Sequence, residues 1–160
     1  MPSAYFVALN LLASRELSES QLRARLARRS LDAEDVESTI GRLKLDGTLN
    51  DHRVAVSTAR RECAVRHRGR VRVLQQVRQL GIEESVAAAA VDEVFGEVDE
   101  KALLDGALER RLRGRSVDAL DEKARARLVR SLTAQGFRTG AILTRLRSAK
   151  RQMPDADGIE

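Results

Sequence analysis

"QLRARLARRSLDAEDVESTIGRL" (21–43), "RVLQQVRQLGIEESVAAAAVDEV" (72–94) and "RLVRSLTAQGFRTGAILTRLRSA" (127–149) are the same pattern written three times. Set in register without a gap, they align five apolar columns. These are Leu22, Val73 and Leu128; Leu26, Val77 and Leu132; Leu31, Ile82 and Phe137; Val36, Ala87 and Ile142; and Ile40, Val91 and Leu146. Within each stretch the apolar residues recur three and four apart, which places them on one face of a helix. The residue before the third column is Ser30, Gly81 or Gly136, a small residue where one helix must end. Glycine is the usual residue there because it enters the left-handed region without steric penalty. Asp32, Ser85 and Thr139 follow, each able to accept hydrogen bonds from the free amides of the next helix. Each stretch predicts a helix, a tight turn and a second helix.

Another helical segment precedes each pair, at 5–15, 51–67 and 99–114. The chain then divides into units of roughly fifty residues, the period of a helical repeat. The expected boundaries are 1–50, an arginine-rich 51–98, 99–150, and a polar tail at 151–160 expected to be disordered. Ser18 and Gln21 stand in capping-box spacing. In the joint "LDGTLND" (45–51), Gly47 is expected to end one helix and Asn50 or Asp51 to cap the next. In "FGEVDEKA" (95–102), Gly96 and Asp99 take those roles. The fold class is all-α: three tandem three-helix repeats.

Composition agrees. Tyr5, Phe6, Phe95 and Phe137 are the only aromatics, so the core must be aliphatic, and the prolines, Pro2 and Pro154, leave the interior free to be helix. A lone Cys63 permits no internal disulfide and fits a reducing compartment. The opening apolar run lacks a basic flank and is too short and broken to span a bilayer, so a cytoplasmic protein without membrane contact is expected. The net charge of +5 falls in blocks. Arg53, Arg60, Arg61, Arg66, Arg68, Arg70, Arg72 and Arg78 face Glu62 alone, and residues 79–104 reverse the sign. Such blocks mean either solvated helix faces or a stripe for a polyanion or an acidic partner.

The residues for chemistry are few. Cys63 shares an apolar helical spacing with Val56 and Ala59 and reads as structural; His52 and His67 stand alone; and Glu83 and Glu84, adjacent on a helix, diverge. No enzyme, metal or cofactor is predicted. A helix-turn-helix reading fails on charge in the first two units, whose second helices carry Asp32, Glu34, Asp35 and Glu37, or "EESVAAAAVDEV", and stays open only for the basic "RTGAILTRLRSAK" of the third. The arginines suit nonspecific phosphate contact or an acidic protein surface, since guanidinium binds phosphate and carboxylate bidentately. Arg110, Arg111, Arg113 and Arg115 form a second cluster. These twelve arginines are the expected contacts, and Gly47, Asp51, Gly81, Gly96 and Gly136 the structural joints.

Several stretches together resemble the bacterial RecX family, modulators of the RecA recombinase. "ALNLLASRELSESQLRARL" is similar to that family's opening, "RLKLDGTLNDHRVA" to its joint, "RGRVRVLQQVRQLGI" to its middle and "ARARLVRSLTAQGF" to its close. The match runs from about residue 8 to 149 and is carried by order and spacing. Val54 replaces the family's aromatic, and Gln76 and Val77 its Glu-Leu pair. The resemblance implies an elongated, curved array of either hand, a monomer, lying in the groove of the RecA filament on DNA. There it would lower strand exchange, ATP turnover and co-protease activity. The alternatives are a general helical DNA-binding module and a scaffold for another partner.

Overall fold

The small-residue turns end the helices. In the computed structural model, which describes residues 3–151, Ser30, Gly47, Gly81 and Gly136 all have positive φ, at 51°, 76°, 73° and 102°. Nine helices result among the described residues: α1 (Ala4–Ser14), α2 (Glu19–Ala27), α3 (Ala33–Leu45), α4 (Asp51–Ala64), α5 (Arg70–Arg78), α6 (Glu84–Gly96), α7 (Glu100–Leu112), α8 (Glu122–Ala134) and α9 (Thr139–Arg151). No strand occurs among those residues. Each set of three helices closes on its own apolar core. Of the fifteen residues in the five columns only Leu31 is not buried. Each fully buried aliphatic side chain contributes about 1.5–3 kcal/mol.

The caps follow the sequence with exceptions that matter. Ser18 and Gln21 form the reciprocal capping box, and Asp32 and Asp99 cap α3 and α7. Asn50 caps α4 through the Arg53 amide, whereas Asp51 is the first helical residue. The Asp51 carboxylate instead accepts from the Glu19 amide at 2.7 Å, so it caps α2 across the joint. Glu83, not Ser85, caps α6, because its longer side chain reaches both the Ser85 and Val86 amides. Gly96 stays helical and Glu97 ends α6 at φ −98°, so that joint uses no left-handed glycine. Helix α4 stops at Ala64, short of the expected 67, and His67 turns the chain at φ 52°. Arg151 is still helical; the rest of the expected tail lies outside the described residues.

One contact between the units repeats. The turn between the second and third helices of each later unit sits on the first turn of the second helix of the unit before it. At units one and two, Ser18 Oγ donates to the Leu80 carbonyl, and a Cβ on Gly81 would lie 2.5 Å from Ser20 Oγ. At units two and three, the Gly69 and Val71 amides donate to the Gln135 and Gly136 carbonyls at 3.0 and 3.2 Å. A Cβ on Gly136 would lie 2.4 Å from that of Arg72. Glycine at these turns therefore serves close approach as well as φ.

Candidate functional site

The structure sorts the twelve arginines by what their helices bring beside them. Helix α4 lies along α6, which carries much of the acidic block, and the two blocks largely neutralise each other. Arg60 reaches Glu97 at 3.7 Å, Arg70 reaches Asp92 at 2.6 Å and Glu100 at 3.2 Å, and Arg78 grips Glu84 with two nitrogens. His52 likewise meets Glu93 at 2.9 Å. Arg53 is a clamp on the joint, donating to Glu16 at 2.7 Å and to the Gly47 and Thr48 carbonyls at 2.9 Å. Arg61 and Arg113 are exposed, and Arg113 ends α7 in the left-handed region.

The remaining arginines converge. Arg66 and Arg68, from the loop after α4, Arg72 on α5, and Arg110 and Arg111 on α7 line one open hollow of about 660 Å³ between units two and three. Ser131, Ala134 and Gln135 of α8 complete its wall. The left-handed turn at His67 sets Arg66 and Arg68 on this side, and Gln135 Nε2 fixes that turn by donating to the His67 carbonyl at 2.6 Å. A neighbouring groove of about 380 Å³ shares Arg111 and Ser131 and adds Arg115 and Arg127. Arg127 was not among the expected residues.

One carboxylate holds the hollow together. Glu62, the lone acid of the arginine block, is 4 % exposed, accepts from Arg68 at 2.5 Å and pairs by charge with Arg66 at 3.5 Å. Arg72, Arg110 and Arg111 have no acidic partner among the described residues. Arg111 donates to Ser131 Oγ at 2.7 Å and to the Ala107 carbonyl at 3.3 Å. Burial, and then the charge of Arg110, push its guanidinium below the usual arginine range. An anion entering the hollow would relieve that crowding and find forked donors already placed. No aromatic ring lines the hollow, so it offers charge and hydrogen bonds without base stacking.

Cys63 is 5 % exposed, and burial, with Glu100 adding to it, pushes its thiol up, away from the nucleophilic thiolate. Among the described residues, no group of three His, Cys, Asp or Glu could hold a metal ion, and no helix is long and apolar enough to cross a membrane.

Comparison with known proteins agrees with this architecture. Residues 4–43 match the family model described as RecX, first three-helix domain. The regulatory protein RecX of Halorhodospira halophila (strain DSM 244 / SL1) is 36% identical over 132 residues, 81% of this chain and 78% of that protein. That of Trichlorobacter lovleyi (strain ATCC BAA-1151 / DSM 17278 / SZ) is 30% identical over 141 residues, 86% of this chain and 90% of that one. The crystal structure of RecX from Lactobacillus salivarius superposes with a TM-score of 0.78 over 92% of this chain and 95% of that one, at 18% identity, and so shows the shared fold. With three repeated three-helix units and relatives of this identity along most of its length, the chain belongs to the RecX family of regulatory proteins.

Proposed function

We propose that this chain is a non-catalytic modulator that binds RecA assembled on DNA and limits its strand exchange, ATP turnover and co-protease activity. Membership of a family of regulatory proteins supports the reading. The observation that carries it is the hollow between units two and three, where five arginines meet and the one acid is buried beneath them. A surface of that kind takes up phosphate or carboxylate, and a RecA filament on DNA offers both. Arginines paired with α6 have their charge satisfied within the chain and contribute little.

The test is to add the protein to RecA on single-stranded DNA and follow ATP hydrolysis and co-sedimentation. Replacing Arg66, Arg72, Arg110 and Arg111 together by Ala is expected to weaken inhibition while helicity is kept, whereas Arg60→Ala with Arg78→Ala leaves it unchanged. If the quadruple variant inhibits as well as the parent, the hollow is not the contact. The same unpaired arginines also fit a second reading, a general DNA-binding module. That reading requires tight binding to DNA without RecA, with affinity falling roughly tenfold or more over a few-fold rise in salt.

A further inference from the structure

Units two and three repeat one corner with its key charge reversed. Helices α4 and α7 run in register from their first residues, Asp51 and Glu100, and Ala55 and Ala59 of α4 are matched by Leu104 and Leu108 of α7, all four buried. The same register sets Glu62 against Arg111 and Cys63 against Leu112. Four residues further along stands an arginine in each unit, Arg66 and Arg115. The second helices carry Arg72 and Arg127 in equivalent places, each just before the first apolar column.

In unit two the corner is filled from within: the buried Glu62 carboxylate accepts from Arg68, with Arg66 beside it. In unit three that carboxylate is replaced by a half-buried guanidinium. Arg111, Arg115 and Arg127 rim the groove of about 380 Å³, and no acidic residue lines it. None of the three has an acidic partner among the described residues. Arg111 donates to Ser131 Oγ and the Ala107 carbonyl, and Arg115 to the Leu112 carbonyl at 3.4 Å, so these two are positioned without being neutralised. The link from α7 to α8 (113–121) is longer than that from α4 to α5 (65–69), and it delivers Leu120 to an apolar floor made with Leu112, Ala124 and Leu128. Gathered like charges repel, the more so where burial thins the solvent between them, so a bound anion would remove a cost already present. The floor narrows the choice of anion. Inorganic phosphate presents oxygen on every side and would leave the leucines to water, whereas a carboxylate on an aliphatic segment covers them.

We propose that the groove between α7 and α8 docks an acidic, aliphatic segment of a protein partner, one carboxylate of which takes among Arg111, Arg115 and Arg127 the place that Glu62 holds in unit two. The aliphatic part of the segment lies over Leu112, Leu120 and Leu128. The groove borders the arginine hollow through Arg111 and Ser131 but is a separate site, and the proposal does not depend on RecA being the partner.

The test titrates the full chain with the blocked tripeptide acetyl-Leu-Glu-Leu-amide, with acetyl-Leu-Gln-Leu-amide and inorganic phosphate as the other two probes, and follows the arginine Nε–Hε signals by NMR. Saturable shifts of the Arg111, Arg115 and Arg127 signals are expected with the glutamate peptide. Its affinity should exceed that of either other probe by about tenfold, the worth of one hydrogen bond to a charged group. Arg111→Glu, which writes the corner of unit two into unit three, should abolish those shifts and raise the thermal midpoint. Arg115→Gln, at an exposed position, keeps the fold and should weaken the glutamate peptide about tenfold while leaving the glutamine peptide unchanged. Equal affinity for the two peptides would overturn the proposal, and so would the absence of saturable shifts with any probe. Phosphate bound as tightly as the glutamate peptide would make the groove an arm of the phosphate-binding hollow and overturn it too. Each readout is taken on the chain without RecA, so failure here leaves the ATP-hydrolysis test of the hollow standing.

Discussion

Replacing Gly69 by Ala isolates the contact between units two and three. Gly69 has φ −75° and ψ 165°, a conformation any residue adopts, so alanine brings no backbone strain of its own. Its new Cβ would lie 2.4 Å from the Gly136 carbonyl oxygen, 2.5 Å from the Gly136 carbonyl carbon and 2.8 Å from the Phe137 nitrogen. Ordinary contact between carbon atoms is about 3.5–4.0 Å, so the turn must move by roughly 1 Å, and backbone atoms cannot rotate aside. Overpacking of this kind costs about 1–3 kcal/mol. The displacement also strains the Gly69 and Val71 hydrogen bonds to that turn, each worth about 1 kcal/mol. A total near 3 kcal/mol is expected. Gly47→Ala keeps an empty neighbourhood and pays only for φ 76°, about 1–2 kcal/mol. Gly41→Ala, in mid-helix with nothing near, should stabilise by about 0.5–1 kcal/mol. Urea unfolding followed by far-ultraviolet circular dichroism measures all three. In a repeat array the loss should also broaden the transition, because unit three is freed from its neighbour. Combining Gly69→Ala with Gly136→Ala should cost less than the two changes separately, since both break one contact. If Gly69→Ala costs no more than Gly47→Ala, the turn does not hold the units together.

Three other outcomes are expected. Glu62→Ala strips Arg68, whose side chain is 21% exposed, of its partner and should cost about 3 kcal/mol in the same unfolding assay. Hydrogen bonding from Lys44, opposed by burial and aided by Arg23, holds the Glu19 carboxyl below its usual range. A folded pKa below the unfolded one gives stability that is complete above about pH 4.3 and lost as pH falls through the folded value. Glu19→Gln should therefore flatten the fall in urea midpoint on acidification, and an unchanged acid limb would refute the assignment. Asp51→Ala should cost about 1 kcal/mol and release the Glu19 amide to hydrogen exchange, whereas Asn50→Ala should release the Arg53 amide.

The apolar columns were legible because they rest on local periodicity. Val73, Val77, Leu22 and Leu132 are fully buried, and Gly47, Gly81 and Gly136, read from their places in the pattern, have the left-handed φ expected there, whereas Gly96 stays helical. The arginine block was legible as a block but not as a surface. Whether Arg60 or Arg72 is free depends on which acid another helix lays beside it, and Glu97 lies 37 residues from Arg60 along the chain. The one available signal was Glu62, a single acid among eight arginines, which is the kind of residue that gets buried as a counter-charge. Nor could spacing show that Asp51 would cap α2. A cap is read from the three residues after it, and the Glu19 amide lies 32 positions before. Gly69 was visible only as part of a resemblance; its need for close approach appears once unit three is folded against it.

The glycine column also shows what a single Cβ decides. Gly81 and Gly136 meet their neighbours where a Cβ would lie 2.5 and 2.4 Å away, so those two turns reach the helix start of the unit before them only without one. Ser30 occupies the same column with a Cβ, holds the same left-handed φ, and is flanked by Arg28 and Arg29. The turn of unit one thus keeps the conformation of its fellows, while its Cβ closes the approach that theirs make.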